Sequence, residues 1–289
     1  MQTKEPNLKA FHLAGIIPVA APPLDFNMDW SDCLMPVAPN FTAVDLSVLE
    51  CAMAGCETIW IVCNDDVSPL IRHRIGEYIL DPVSVGRMGP RPRESRRQIP
   101  IFYVPVHPND RERRDCMGWS ILHGAQSAYH ISLRISRWVT PDKYYVSFPY
   151  GVFNTDLLRP FRKNISSNQQ LYLTHDKKTV KDNEYLSFTF SPEDFIRIRR
   201  EFRKEATNEY FDGKKLPQEK RYSGRHFSLD KVFDSVILEG SMTLELPWYH
   251  NIGSWDGYCE YLASPNRTLI ERPSKIIFNY KEFCPIGQK

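Results

Sequence analysis

The sequence predicts a three-layer α/β fold with a Rossmann-like, mixed and mostly parallel sheet. Three observations predict it. Largely apolar runs at residues 14–20 (AGIIPVA) and 57–63 (ETIWIVC) suit strands buried on both faces. A stretch of helix length lies between them, so strand, helix and strand follow in the order of a right-handed parallel crossover. The same alternation continues to about residue 155.

Each element has a local reason. Residues 21–39 hold prolines and no glycine, and read as a long ordered loop. A helix runs from Thr42 to Ala54. Thr42 and Asp45 have capping-box spacing, Val44, Val48 and Ala52 share a face with Leu49 and Cys51 beside it, and Gly55 supplies the stop. Ser68-Pro69 opens a second helix with Leu70, Ile71, Ile75 and Ile79 on its face. Residues 81–98 read as a polar loop, 101–106 as a strand, 116–137 as a helix and 143–148 as a strand. Later strands are expected at 171–173, 185–190 and 242–246, and helices after Ser191-Pro192 and over 227–238 and 255–263. The charged stretch 204–226 is expected to be a mobile excursion. One domain is expected over residues 10–265, most regular over 10–155, with a tail at 266–289.

Composition narrows the class. The chain has 289 residues, with 14 glycines and 22 prolines. Average usage is about 7% glycine and about 5% proline, so this chain inverts the usual ratio. That excludes a glycine-rich linker or collagen, and it argues against a glycine-rich phosphate loop. A net charge of +2 gives no case for nucleic acid or a membrane surface. The apolar runs are far shorter than the roughly 18 residues of a bilayer-spanning helix, and no signal-peptide core follows Met1, so a cytoplasmic address is expected. Seven cysteines, with no CxxC pair, are expected to be reduced and mostly structural.

The segment Ile16-Ile17-Pro18-Val19-Ala20-Ala21, the loop after it, Leu34-Met35-Pro36-Val37, and then Ala54-Gly55-Cys56-Glu57-Thr58-Ile59-Trp60 together resemble the opening of the sugar nucleotidylyltransferases. Gly118-Trp119-Ser120 is similar to that family's Gly-Thr-Ala helix start. Tyr185 to Glu193 is similar to its later strand and helix, and Trp248-Tyr249-His250-Asn251-Ile252-Gly253-Ser254 to its Trp-x-Asp-Ile-Gly-Thr motif. The resemblance implies a fold of the nucleotide-diphospho-sugar transferase type. It implies a nucleoside triphosphate and a sugar 1-phosphate as ligands, Mg2+ as cofactor, and ligand contacts at Ala20, Ala21, Pro22, Leu24, Gly118, Tyr150 and Asn251.

The chemistry-bearing positions depart from the family. Its phosphate loop is glycine-rich, whereas this chain has Pro22-Pro23-Leu24-Asp25, and proline has no N–H to donate. Asp25 and Asp32 stand where the family has an Arg and a Lys. Each like-charge approach at about 4 Å would cost on the order of 4 kcal/mol at an effective dielectric near 20. The Gly-Asp metal position reads Phe148-Pro149-Tyr150, and the second metal aspartate reads Asn251.

Two readings follow. In one the site is rebuilt, with Asp25, Asp32, Asp65 and Asp66 as candidate catalytic carboxylates and Asp25, Asp29 and Asp65 as candidate cation ligands. In the other, the same carboxylates cap turns and helices in a polar loop. Arg93 and Arg97, within the basic run from Arg87 to Arg97, are candidates for a phosphate or for a protein partner. The functional expectation is a divergent nucleotidyltransferase-like protein that acts on or binds a nucleotide or sugar phosphate. The alternatives are a non-catalytic structural or interaction protein on that scaffold, and a glycosyltransferase using a nucleotide sugar.

Overall fold

The computed structural model describes residues 11–21, 24, 26, 28, 30–87, 97–111, 116–135, 140–207, 210–217, 221, 227–236, 240–273 and 277–278. Strand β1 (Leu13–Pro18) leads through a loop and a 3-10 turn (Asp32–Leu34) to the hairpin of β2 (Pro36–Ala38) and β3 (Phe41–Thr42). There follow α1 (Ala43–Ala54), β4 (Thr58–Cys63), α2 (Ser68–Ile75), β5 (Tyr78–Leu80), α3 (Pro82–Arg87) and β6 (Gln98–Pro105). The short α4 (Pro108–Arg111), the long α5 (Met117–Ile135) and β7 (Lys143–Val146) complete the first half. The second half holds β8 (Gly151–Val152), a 3-10 segment (Thr155–Phe161), α6 (Arg162–Ile165), β9 (Leu171–Thr174), β10 (Phe188–Phe190) and α7 (Pro192–Glu205). The hairpin of β11 (Tyr210–Phe211) and β12 (Lys214–Lys215), then α8 (Leu229–Phe233), β13 (Met242–Glu245), β14 (His250–Asn251) and α9 (Trp255–Ala263) follow, and a 3-10 turn (Pro265–Leu269) comes last among the described elements.

Eight strands form the central sheet in the order β13-β9-β10-β7-β1-β4-β6-β5. Strands β7, β1, β4 and β6 are parallel, β10 and β5 run against their neighbours, and β9 and β13 run with β1 again. Six strands therefore bring their C-terminal ends to one edge, the upper edge.

Alternate residues of β1 face opposite sides, which fixes the three layers. A Cβ on Gly15 would lie 2.8 Å from Cys51 Sγ of α1, whereas one on Gly124 of α5 would lie 2.7 Å from Val62 and 2.9 Å from Ile16. So α1 covers one face and α5 the other, each at a distance that only a glycine allows. Helices α7 and α8 pack beside α5, and α3 beside α1. The start of α1 is fixed by its capping box, with the Thr42 N–H donating to Asp45 Oδ2 at 2.9 Å. Its end is Gly55, left-handed at φ 96°.

Several elements differ from expectation. Gly76 stops α2 after Ile75, so Ile79 lies in the edge strand β5 and not on the helix. The expected polar loop at 81–98 opens with α3. Asp81 caps it by accepting from the Val83 N–H at 3.0 Å, and Pro82 takes the first helical position. Only Phe188–Phe190 of the expected strand 185–190 joins the ladder, because Tyr185 passes directly against Gly151, where a Cβ would be 2.1 Å from its carbonyl oxygen. The helix expected over 227–238 is confined to Leu229–Phe233, and residues 237–239 lie outside the described ones. Beyond residue 265 the chain returns to the sheet. Leu80 N–H donates to the Ile277 carbonyl at 3.0 Å, and buried Phe278 meets Phe41 edge-on at 6.2 Å. Cys33, Cys51, Cys56, Cys63 and Cys116 are buried cysteines outside any disulfide, Cys259 is exposed, and Cys284 lies outside the described residues.

Candidate functional site

The upper edge is where an α/β sheet of this kind takes its ligands. It gathers the loop after β1, residues 64–66 after β4, Arg111, the start of α5, Phe148–Tyr150 after β7, His175–Asp176 after β9, and residues 246–251 after β13.

Four described backbone N–H groups at the loop after β1 donate within the protein. The N–H groups of Val19 and Ala20 both donate to the Val62 carbonyl at 2.8 Å, and the Phe26 N–H donates to the Leu24 carbonyl at 2.8 Å. The Leu24 N–H donates to Asp32 Oδ2 at 2.7 Å, and Asp32 is nearly buried. Ser120 from α5 donates its hydroxyl to the Ala20 carbonyl. Phe26 then packs edge-on to Trp255 of α9 at 6.2 Å, while Tyr258 and Tyr261 of the same helix donate to the carbonyls of Pro36 and Val37 at 2.9 and 2.6 Å. Leu24 and Ala21 pack against the core. Pro22, Asp25 and Asp29 lie outside the described residues.

The remaining predicted residues are dispersed. Asp65 is exposed and pairs with Arg111; Asp66 accepts from the Val67 N–H at 3.0 Å. Gly118 lies under α8, where its Cβ would meet Val232 at 2.7 Å. Tyr150 is buried, and burial followed by the nearby Cys33 and Asp32 pushes its hydroxyl far above the usual range, so it is a neutral phenol. Asn251 is satisfied at both ends, since its Nδ2 donates to Glu184 at 2.8 Å and its Oδ1 accepts from the Gly253 N–H at 2.9 Å. Arg97 is not on this edge at all; it precedes β6 at the lower edge. Arg93 lies outside the described residues.

Two groups carry chemistry that the sequence reading did not single out. His175, Asp176 and Glu245 each offer a ligand atom within 4.8 Å of the others, the one such set among the described residues. The His175 Nδ1 is 3.0 Å from the Leu246 carbonyl, a pairing that leaves Nε2 as the acceptor. No local sequence signal marks this set, because the parallel pairing of β13 with β9 is what joins residues 70 positions apart. Glu50 of α1 is wholly buried and accepts from Tyr145 Oη and Ser147 Oγ, both at 2.7 Å. Burial pushes its carboxyl up to about 7 against those hydroxyl donors. Its visible sign was an acid in the middle of an apolar helix, with no capping part to play there.

No protein-family model and no curated protein sequence matches the chain. Solved structures do. A Bacillus anthracis structure named as a glucose-1-phosphate thymidylyltransferase, in complex with sucrose, aligns with a TM-score of 0.57 at 10% identity, over 91% of this chain and 98% of its own. The fold is of the nucleotide-diphospho-sugar transferase type. An apo UDP-glucose pyrophosphorylase aligns at TM-score 0.51 and 11% identity, over 89% and 99% of the two chains. At such identities the nucleotidyltransferase-like likeness concerns the fold. No helix among the described residues is long and apolar enough to cross a membrane.

Proposed function

We propose that this protein keeps the nucleotidyltransferase fold without the nucleotidyl transfer, and works as a binding or scaffolding protein in the cytoplasm. The carrying observation is the loop after β1. A phosphate cradle needs backbone N–H groups aimed at the ligand. Here the N–H groups of Val19, Ala20, Leu24 and Phe26 are all spent inside the protein. The carboxylate that holds Leu24 adds negative charge at the same place.

The Mg2+ implied by the resemblance does not fit the residues at the family's two metal positions. Tyr150 is a buried neutral phenol, and the Asn251 amide is engaged at both ends. Nor is Asp65 free, being paired with Arg111.

The test is pyrophosphate release from a panel of nucleoside triphosphates and sugar 1-phosphates with Mg2+. We expect no release above the protein-free blank; turnover by the wild-type chain overturns the proposal. A second reading, in which a nucleotide or sugar phosphate still binds at the upper edge, is favoured by His175, Asp176 and Glu245 alone. Imidazole with carboxylates suits Mn2+ or Zn2+ better than Mg2+. A thermal shift that needs both a nucleotide and Mn2+, and that His175→Ala removes, would favour this reading. A glycosyltransferase version would also hydrolyse or transfer from a nucleotide sugar under those conditions.

A further inference from the structure

The lower edge of the sheet holds a cavity of about 720 Å³ beneath the starts of β1, β4 and β6. Its floor is the segment that runs from the 3-10 turn at Thr155–Phe161 into α6. Four cations line it, Arg97, Arg159, Arg162 and Lys163, against two carboxylates, Glu57 and Asp81. Four minus two leaves a formal excess of two positive charges.

The pairing inside the cavity decides which cations remain available. Arg162 grips Asp81 with its fork, Nη1 to Oδ1 at 2.8 Å and Nη2 to Oδ2 at 3.0 Å. Asp81 Oδ1 also accepts from the Val83 and Ser84 N–H groups, so this carboxylate is committed to Arg162 and to the start of α3. Glu57 is held by His12 Nδ1 at 2.7 Å. Arg97 lies more loosely between the two acids, 3.4 Å from Glu57 and 3.8 Å from Asp81. Arg159 and Lys163 are four residues apart, and among the described residues neither has an ion-pair partner. Three cations thus face one space with donor capacity to spare.

We propose that this lower-edge cavity binds a phosphorylated small molecule, with Arg97, Arg159 and Lys163 holding its phosphoryl group. A phosphoryl dianion matches the excess charge, and guanidinium forks match its oxygens. Small-molecule pockets run from about 300 to about 1,000 Å³, so the space takes an organic moiety as well as the phosphoryl group. The site is on the edge opposite the loop after β1 and stands independently of what happens there.

The test titrates the full chain at low ionic strength with AMP, glucose 6-phosphate and inorganic phosphate, read by calorimetry and 31P line broadening. Saturable binding is expected, tighter for at least one organic ester than for inorganic phosphate. Arg159→Glu with Lys163→Glu should weaken it by about tenfold or more. Both side chains are exposed, and an unchanged melting temperature checks that the double variant folds. Arg111→Glu, on the upper edge, should leave it unchanged. Absence of saturable binding overturns the proposal. So does binding that survives the double charge reversal, binding lost with Arg111→Glu, or no preference for an ester over inorganic phosphate.

Discussion

Glu50 shows how a single buried group couples stability to pH. Its carboxyl titrates near 7 in the folded protein and near 4.5 when exposed, so the folded state binds the proton more tightly. The associated stability is fully present below the unfolded value and is lost as pH rises through the folded one. The loss over that interval is roughly 3 kcal/mol. Glu50→Gln should therefore flatten the fall in unfolding free energy between about pH 5 and about pH 8, read by urea denaturation, with the variant more stable than wild type at the alkaline end. An equal slope in both proteins would show that other groups cause it. Asp32 makes a second prediction at this scale. Asp32→Ala leaves the Leu24 N–H without its partner and should cost about 1–3 kcal/mol. Amide exchange at Leu24 should speed up in that variant. The residue identities alone gave no way to choose between a catalytic Asp32 and a capping Asp32; the choice needed its partner eight residues away.

A contact between elements gives Gly118 a packing reason: the first turn of α5 lies against Val232 of α8, where a Cβ would be 2.7 Å away. Gly118→Ala should cost about 1–3 kcal/mol by overpacking. Val232→Ala in the same chain should recover part of that cost, and a double-mutant cycle should return a coupling clearly different from zero. Tyr261 plays the tethering part in α9. Tyr261→Phe removes the donor to the Val37 carbonyl and should cost about 1 kcal/mol in thermal denaturation. Elements with strong local signals were legible: the Thr42–Asp45 box, Gly55, and Ser191-Pro192 all mark real boundaries. Ile79 misled because its apolar spacing fits a helix face, and just two residues, Gly76 and Glu77, separate α2 from β5. The Asp81-Pro82 start of α3 was missed, because the polar character of the segment after it reads as a loop.

At the scale of the whole molecule, the alternation of buried strands with helices was enough to give the layers, and the structures that share the fold bear this out. What the alternation could not give is which loops meet at an edge. Arg97 and Asp65 flank neighbouring strands, yet they emerge at opposite edges because Arg97 precedes β6 and Asp65 follows β4. The chain beyond residue 265 is likewise decided by long-range contact. Phe278 is buried between Phe41 and the edge strand β5. Phe278→Ala should cost about 3–5 kcal/mol, the range for emptying a buried aromatic site, measured by urea denaturation of the full chain. A change near zero would mean that the segment does not hold the sheet's edge in solution.

Lys143 lies buried at the foot of β7 and donates to the carbonyls of Ile165, at 2.9 Å, Ser167, at 3.1 Å, and Gln169. Three converging carbonyls are the coordination that many proteins leave to a potassium or sodium ion. Here the positive centre is covalently attached to the chain, so it cannot wash out and does not compete with the alkali ions of the solvent. The turn it gathers follows directly after the segment bearing Arg159 and Lys163. The turn beside the lower-edge cavity is thus held by a built-in cation, and its geometry should be the same in sodium as in potassium buffers.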